Sequence, residues 1–246
     1  MKITIVTVTL NNATTIADTI RSVDSQTHGD IEYIVVDGAS TDETLAKVRA
    51  NGTRVSTVLS EPDGGIYDAM NKGARLASGE LIGFLNADDI LAYPDAIAAI
   101  AQAAHEPLVD AVFGDLLYVD SRDTDRVVRR WRGSEYSLRR LHWGWMPSHP
   151  TFYVRRTQLL QLGGFDVSLR IAADYEFMLR YLGRPRIHAR YVPEVLVRMR
   201  SGGASNRSLK ALVNKSREDL LALRRNRMGG VGTLMCKNLR KLSQFL

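Results

Sequence analysis

Two adjacent carboxylates, Asp88 and Asp89, close an apolar run that reads Leu81-Ile82-Gly83-Phe84-Leu85. Hard oxygen ligands set side by side can hold a divalent cation, and such a cation can bridge a diphosphate. The plainer alternative is an N-cap ahead of a helix that starts near Pro94. A third acid, Asp37, follows the apolar run Tyr33 to Val36 and precedes Gly38. It could accept hydrogen bonds from a nucleotide base or ribose, or serve as a turn residue. Asp174 lies in Ala172-Ala173-Asp174-Tyr175-Glu176, at or near a helix start, where the dipole favours an acid. Trp143, Trp145 and Met146 precede Pro147-Ser148-His149-Pro150. Those aromatics could stack on a sugar, rest on lipid or simply pack.

The elements that must position these residues follow from periodicity. An apolar run bounded by Gly79 and two acids suits a buried strand. Its C-terminal end lies where open α/β sheets bind ligands. Ile3 to Thr9 alternates β-branched residues and reads as the first, central strand. A helix with Ile16, Ile20 and Val23 on one face follows. Tyr33 to Val36 is a second buried strand. Ser40 with Glu43 forms a capping box, predicting a helix over 41–50. Val55 to Leu59 is a third strand. Pro62 to Gly65 carries turn chemistry, and a short helical segment then runs towards Gly79. Alternating strands and helices imply a parallel, doubly wound sheet. Farther on come a helix over 94–105, a strand over 111–120 and a hairpin or loop over 120–132. A strand over 151–154 and a helix stopping at Gly163-Gly164 follow. Asp174 then opens a helix that ends at Gly183, and residues 187–200 form a last strand. Ser201 to Ser205 is a mobile loop of the kind that closes over a ligand.

Composition narrows the function classes. The 246 residues are 45% hydrophobic, enough for a sizeable core. Cys236 is the single cysteine, so no internal disulfide or Cys/His zinc cluster is expected. No signal-peptide layout opens the chain, and no run reaches the roughly 18 apolar residues of a membrane span. A cytoplasmic location is the expectation. Net charge is +6, but it is unevenly spread. Residues 207–246 hold ten Lys/Arg against Glu218 and Asp219, a balance of +8, which leaves −2 on residues 1–206. A near-neutral body argues against nucleic-acid binding. The tail carries Leu209, Leu212, Val213, Leu220 and Leu223, then Leu234, Leu239, Leu242 and Phe245, at helical spacing among basic residues. Such an amphipathic segment can lie on an anionic membrane, pack on the body or pair with a second copy. No Gly-x-Gly-x-x-Gly follows the first strand and no P-loop occurs, which excludes the usual dinucleotide and P-loop nucleotide sites.

Four segments together resemble family 2 glycosyltransferases of the GT-A fold, notably those of bacterial exopolysaccharide and glycolipid assembly. They are Ile3 to Asn11, Val35 to Thr44, Asp63 to Gly73 with its Tyr-Asp-Ala-Met-Asn-Lys-Gly, and Phe84 to Asp89. The resemblance covers roughly residues 1–200. It implies a mostly parallel α/β sheet flanked by helices, with residues 1–206 as the GT-A domain and 207–246 as a basic helical tail. It also implies a nucleotide-diphosphate sugar donor, Mg2+ or Mn2+, and inversion at the anomeric carbon. Carried over, Thr9, Asn11, Asp37, Asp63, Asn71 and Asn86 would contact the nucleotide sugar. Asp88 would bind donor and metal, with Asp89 beside it, and His149 could reach the metal or diphosphate. Asn86 stands where many members have Asp, which lowers the site's negative charge. Phe113-Gly114-Asp115 would lie near the donor's sugar. Asp174 matches the general base of the family's acidic motif, and Glu176 is next in line.

The leading expectation is an inverting, metal-dependent transfer to a lipid-linked saccharide, polysaccharide or glycolipid, at the inner face of the membrane. Trp143 and Trp145 would then meet the acceptor. Nucleotidyltransferases that make nucleotide sugars share the strand order. They usually carry a Gly-rich basic loop after the first strand, where this chain has Leu10-Asn11-Asn12-Ala13. A non-catalytic sugar-binding protein would have no use for the pair Asp88 and Asp174.

Overall fold

Alternation along the first strand sets the architecture. In β1 (Ile3–Thr9), Ile3 and Ile5 pack into one core, while Val6 and Val8 pack into another on the opposite face. Burial on both faces is the mark of a central strand covered by helices on each side. The computed structural model describes residues 1–106, 108–202 and 209–241. The expected loop at 203–205, and Leu242 and Phe245 of the tail, lie outside the described residues.

β2 (Ile31–Asp37) and β4 (Leu81–Phe84) flank β1 in parallel, and β3 (Val55–Ser60) pairs in parallel with β2. Among the described residues the sheet runs β3-β2-β1-β4-β8-β6-β9-β5, with β7 paired to β6. Here β5 is Ile90–Leu91, β6 Ala111–Val119, β7 Val127–Trp131, β8 Tyr153–Arg155 and β9 Ala189–Arg200. β8 is antiparallel to both neighbours, while β6 and β9 run parallel to each other. The charged segment after β6 is the expected hairpin, built on β7.

Ile16, Ile20 and Val23 of α1 (Ile16–Asp24) and Ile97 and Ile100 of α4 (Ala96–Ala104) cover one face. The other face takes Met70 and Ala74 of α3 (Ile66–Leu76), Leu159 of α6 (Arg156–Gln161) and most of α7 (Ala173–Leu182). α2 (Thr44–Asn51) departs from its expected start. The Ser40 hydroxyl is drawn to the Asp37 carboxylate instead of capping a helix, and the helix begins only at Thr44. Asp42 substitutes for it, accepting the Thr44 N–H at 2.9 Å.

The tail lies against the body as α8 (Leu209–Arg225) and α9 (Val231–Arg240). Ala222, Leu223 and Met228 are buried in the same core as α7. α9 crosses over Gly144, which follows α5 (Leu138–His142) and adopts φ +76°. A Cβ there would lie 2.5 Å from the Lys237 nitrogen, so both the turn and the close crossing require glycine. Among the described residues no helix is long and apolar enough to cross a membrane.

Candidate active site

The C-terminal ends of β1, β2 and β4 bring the expected donor residues to one sheet edge. Asp37 is fully buried, and its carboxylate accepts the Ser40 N–H at 3.0 Å and the Ser60 hydroxyl at 2.7 Å. With the Ser40 hydroxyl, three of a carboxylate's roughly four lone-pair directions are taken. Asn11, at φ +54°, accepts the Thr41 N–H on its amide oxygen at 2.9 Å. Thr9 is buried and its hydroxyl accepts from the Asn12 amide at 3.3 Å. Asp63 leans over Gly38, where a Cβ would stand 2.5 Å from the Asp63 carboxylate. Asn71 is placed differently. Its amide donates to the Phe165 carbonyl at 2.9 Å and accepts the Phe165 N–H at 2.8 Å, tying α3 to the chain before α7. Gly164, at φ +69°, leaves the room for that bridge.

At the end of β4 the two acids differ. Asp88 is partly exposed, and its carbonyl accepts from Arg200 at 2.8 Å. Arg200 in turn pairs with Asp18 at 2.6 Å, which fixes the turn. Asp89 is fully buried. Desolvation first, and then the charge of Asp88, raise its pKa well above the usual carboxylate value. Asn86 donates to Asp89 at 3.1 Å, while Asn86 Oδ1 and Asp89 Oδ1 are buried without hydrogen-bond partners among the described residues. Asp88, Asp89 and His149 do not form a three-ligand cluster. Among the described residues no group of three or more His, Cys, Asp or Glu is placed to enclose a metal. His149 packs between Phe84 and Phe165, with ring centroids at 6.0 and 5.7 Å. Burial lowers its pKa against the pull of Asp174, which favours the neutral imidazole.

Asp174 opens into a cavity of about 360 Å3 that His149, Ile171, Tyr175 and Arg200 also line. Its Oδ1 lies 3.2 Å from the Tyr67 hydroxyl and accepts the Tyr175 N–H at 2.8 Å. Tyr67 also reaches the Ile171 carbonyl at 2.8 Å. Glu218, from the tail, accepts the N–H groups of Arg170, Ile171 and Ala172 at 3.1, 2.8 and 2.9 Å. An anion thus holds the segment that leads into α7 and lies near the positive end of that helix. Glu176, the alternative base, is buried and paired with Arg180 at 2.9 Å, away from the cavity. Asp115 is likewise committed, accepting from Tyr191 at 2.6 Å and Gly133 at 2.8 Å. The two tryptophans separate. Trp145 is buried against Phe113 and Tyr136, whereas Trp143 is 54% exposed beside α9.

Sequence reasoning missed Tyr67, Arg200 and Glu218. Tyr67 sat within a quoted motif, but nothing local signals that its hydroxyl crosses 107 residues to Asp174. Glu218 looked like one acid in a basic helix.

Residues 4–168 match the model of Glycosyl transferase family 2. The chain belongs to that family. It is 36% identical over 204 residues to a PGL/p-HBAD biosynthesis glycosyltransferase of Mycobacterium bovis, covering 80% of this chain and 77% of the relative. Among solved structures it resembles Staphylococcus aureus TarS 1–349 in complex with UDP-GlcNAc. There the TM-score is 0.72 at 19% identity, over 92% of this chain and 65% of that one. It also resembles the Pyrobaculum calidifontis mannosyltransferase PcManGT in complex with GDP-Man and Mn2+. That match has a TM-score of 0.67 at 19% identity, over 96% of this chain and 68% of the other. The sheet of this family 2 glycosyltransferase is that of GT-A transferases. As an enzyme of this family it draws its sugar from a nucleotide-sugar donor.

Proposed function

We propose that the enzyme inverts the anomeric carbon of its donor and that Asp174 is the general base. The observation that carries this reading is the setting of Asp174: a carboxylate held by Tyr67 and the start of α7, opening into a cavity next to the Asp88 turn. In the step, an acceptor hydroxyl oxygen forms a bond to the anomeric carbon as the bond to the diphosphate oxygen breaks on the opposite face. The hydroxyl proton passes to Asp174. Glu176 is unsuited, since Arg180 holds it in place.

Thr9, Asn11, Asp37 and Asp63 would hold the nucleoside at the ends of β1 and β2, with Asn86 towards the ribose. The chemistry at the end of β4 suits Mg2+ or Mn2+, because the candidate ligands on that turn, Asp88, Asp89 and Asn86, offer hard oxygens. Asp88 would hold the ion, and the unpaired Asn86 Oδ1 is a further oxygen donor nearby. When bound, the ion would offset charge on the departing diphosphate. Asp89, buried and inclined to hold its proton, would support that turn instead of ligating.

The acceptor reading is a lipid-linked saccharide or glycolipid. The cavity wall includes Leu116, Val128, Trp131, Met146 and Met199, and the mycobacterial relative is named for PGL/p-HBAD biosynthesis. An anionic membrane would be met by α9, whose Val231, Met235 and Leu239 form an exposed stripe at i, i+4, i+8 beside Arg240 and Trp143.

Asp174→Asn tests the core of the proposal. Turnover should fall at least about 10²-fold, the lower end of what a positioned base contributes, with donor affinity nearly unchanged. A folded variant keeping more than about a tenth of the wild-type rate would rule Asp174 out as base.

A further inference from the structure

Glu61 to Gly65 joins β3 to α3 and carries the Asp63 carboxylate over Gly38, which follows Asp37. No side chain of this loop is buried. Glu61, Pro62, Gly64 and Gly65 are exposed, and Asp63 is half-buried. Such a loop is held by hydrogen bonds and charge, or it opens at little cost. Its entry is fixed by the sheet, where the Glu61 N–H donates to the Asp37 carbonyl at 3.0 Å. Within it, Asp63 accepts the Gly65 N–H at 2.8 Å.

Its exit is fixed by α3. Asp68 accepts the Gly64 N–H at 2.9 Å. Lys72, one turn farther along the same face, reaches back past Asp68 to the loop. Its ammonium donates to the Pro62 carbonyl at 2.8 Å, pairs with the Glu61 carboxylate at 2.8 Å and lies 3.7 Å from the Asp68 carboxylate. An ammonium has three N–H donors, and three oxygens surround this one. The pairing with Glu61 raises its pKa above the usual lysine value; burial opposes the rise, and the charges of Asp68 and Asp63 add to it. The side chain is 14% exposed, so salt screens the contact less than it would an open ion pair.

α3 is a firm base for that clamp. Met70 and Ala74 are buried in the core, and the Asn71 amide is bonded twice to the Phe165 backbone. What Lys72 holds is therefore tied to the core, although the loop buries nothing of its own. The Tyr-Asp-Ala-Met-Asn-Lys-Gly segment thus works in two directions. Asn71 anchors it inward, and Lys72 carries that anchorage out to the residues beside Gly38.

We propose that Lys72 is a positioning residue for the donor and acts through Asp63. It fixes the loop before the nucleotide arrives, so that binding does not have to order it. This rests on the reading of Asp63 as a donor contact. With three oxygens already around it, the ammonium could meet a diphosphate only by giving one of them up. Its part in binding is therefore indirect, through the place it gives the Asp63 carboxylate.

UDP and GDP, each with Mn2+, are titrated calorimetrically into the full chain, Lys72→Met, Asp63→Ala and the double variant. Thermal unfolding without nucleotide checks that each is folded. Lys72→Met and Asp63→Ala should each weaken binding about tenfold. The melting temperature of Lys72→Met should fall by no more than about 4 °C, since part-exposed ion pairs add little stability. In the Asp63→Ala chain, Lys72→Met should weaken binding by no more than about twofold further, because the contact it positions is gone. If Lys72→Met binds as wild type does while Asp63→Ala does not, the proposal is overturned and the donor reading stands. A tenfold loss from Lys72→Met in both backgrounds would also overturn it, and would place the ammonium on the nucleotide itself. Should Lys72→Met fail to fold, Glu61→Gln loosens the clamp from an exposed position and takes its place in the cycle. Asp63→Ala that binds as tightly as wild type, or a wild type that binds neither nucleotide, would remove the donor reading and the proposal with it.

Discussion

Individual side chains divide by what already holds them. Asp88 and Asp174 stand after an apolar run and at a helix start, positions that a capping acid would also fill, and it is the resemblance to the family that singles them out for chemistry. Asp89 and Glu176 are acids in the same two segments, and Asn71 and Trp145 were further candidates, yet each of the four is engaged within the protein. Sequence gives the residue type, whereas the partner comes from a distant segment. Glu32 shows the same point away from the site. Its carboxylate accepts from Thr4 at 2.6 Å and from the Ser78 N–H and hydroxyl at 2.7 and 2.6 Å, stapling β2 to the turn before β4. Burial alone would raise its pKa, but these hydrogen bonds outweigh it and bring the value down to about 2 from 4.5. A folded-state pKa below the unfolded one stabilises the protein above about 4.5, and that stability is lost as pH falls towards 2. Urea unfolding of wild type and Glu32→Gln should therefore differ clearly at pH 6, with the gap narrowing below about pH 4.5 and closing only as pH approaches 2. Equal midpoints at pH 6 would show that the staple contributes nothing.

Elements were easier to read than partners. Apolar runs gave β1, β2, β4 and β6 nearly to the residue, since a strand buried on both faces leaves a continuous apolar signature. The start of α2 was misplaced because Ser40 had a stronger acceptor in Asp37 than any helix N–H. The two-residue β5 is too short to leave a pattern. For α7, the apolar face and Gly183 stop were plain, but the device that seats its first turn was not. Glu218 on α8 takes three consecutive N–H groups just before it. Removing the acceptor from such groups costs about 1–3 kcal/mol for each one that stays buried, and less where water replaces it. Glu218→Ala should therefore lower the melting temperature and also lower turnover, through a displaced Asp174. The affinity for a nucleoside diphosphate should change little, since α7 contributes nothing to the ends of β1 and β2. A variant that loses stability but retains full turnover would show that the clamp does not position the base.

At the scale of the whole molecule, the uneven charge suggested a detachable basic tail. The structure gives that tail one packed face and one exposed face. Its inner face buries Ala222, Leu223 and Met228 and carries Glu218 and the Asp219 ion pairs. Burying one Leu or Met side chain contributes about 1.5–3 kcal/mol, against a typical total stability of 5–15 kcal/mol. Deleting residues 207–246 would thus disturb the fold and could not isolate membrane contact. The outer face of α9 can be changed without touching the core. Met235 is 60% exposed and Leu239 61% exposed, one turn apart, and Arg240 follows immediately. If this stripe enters the headgroup region, Met235→Glu with Leu239→Glu removes apolar area and adds charge of the sign an anionic surface repels. Binding to vesicles rich in anionic lipid should fall by about tenfold or more, while the melting temperature and donor affinity hold. Raising salt should weaken what binding remains, because the attraction of Arg240 and its neighbours is screened beyond about 10 Å at 0.1 M. If the double variant binds such vesicles as well as wild type does, the stripe faces something other than a membrane. Sedimentation of the wild-type chain would then show whether that partner is a second copy of itself.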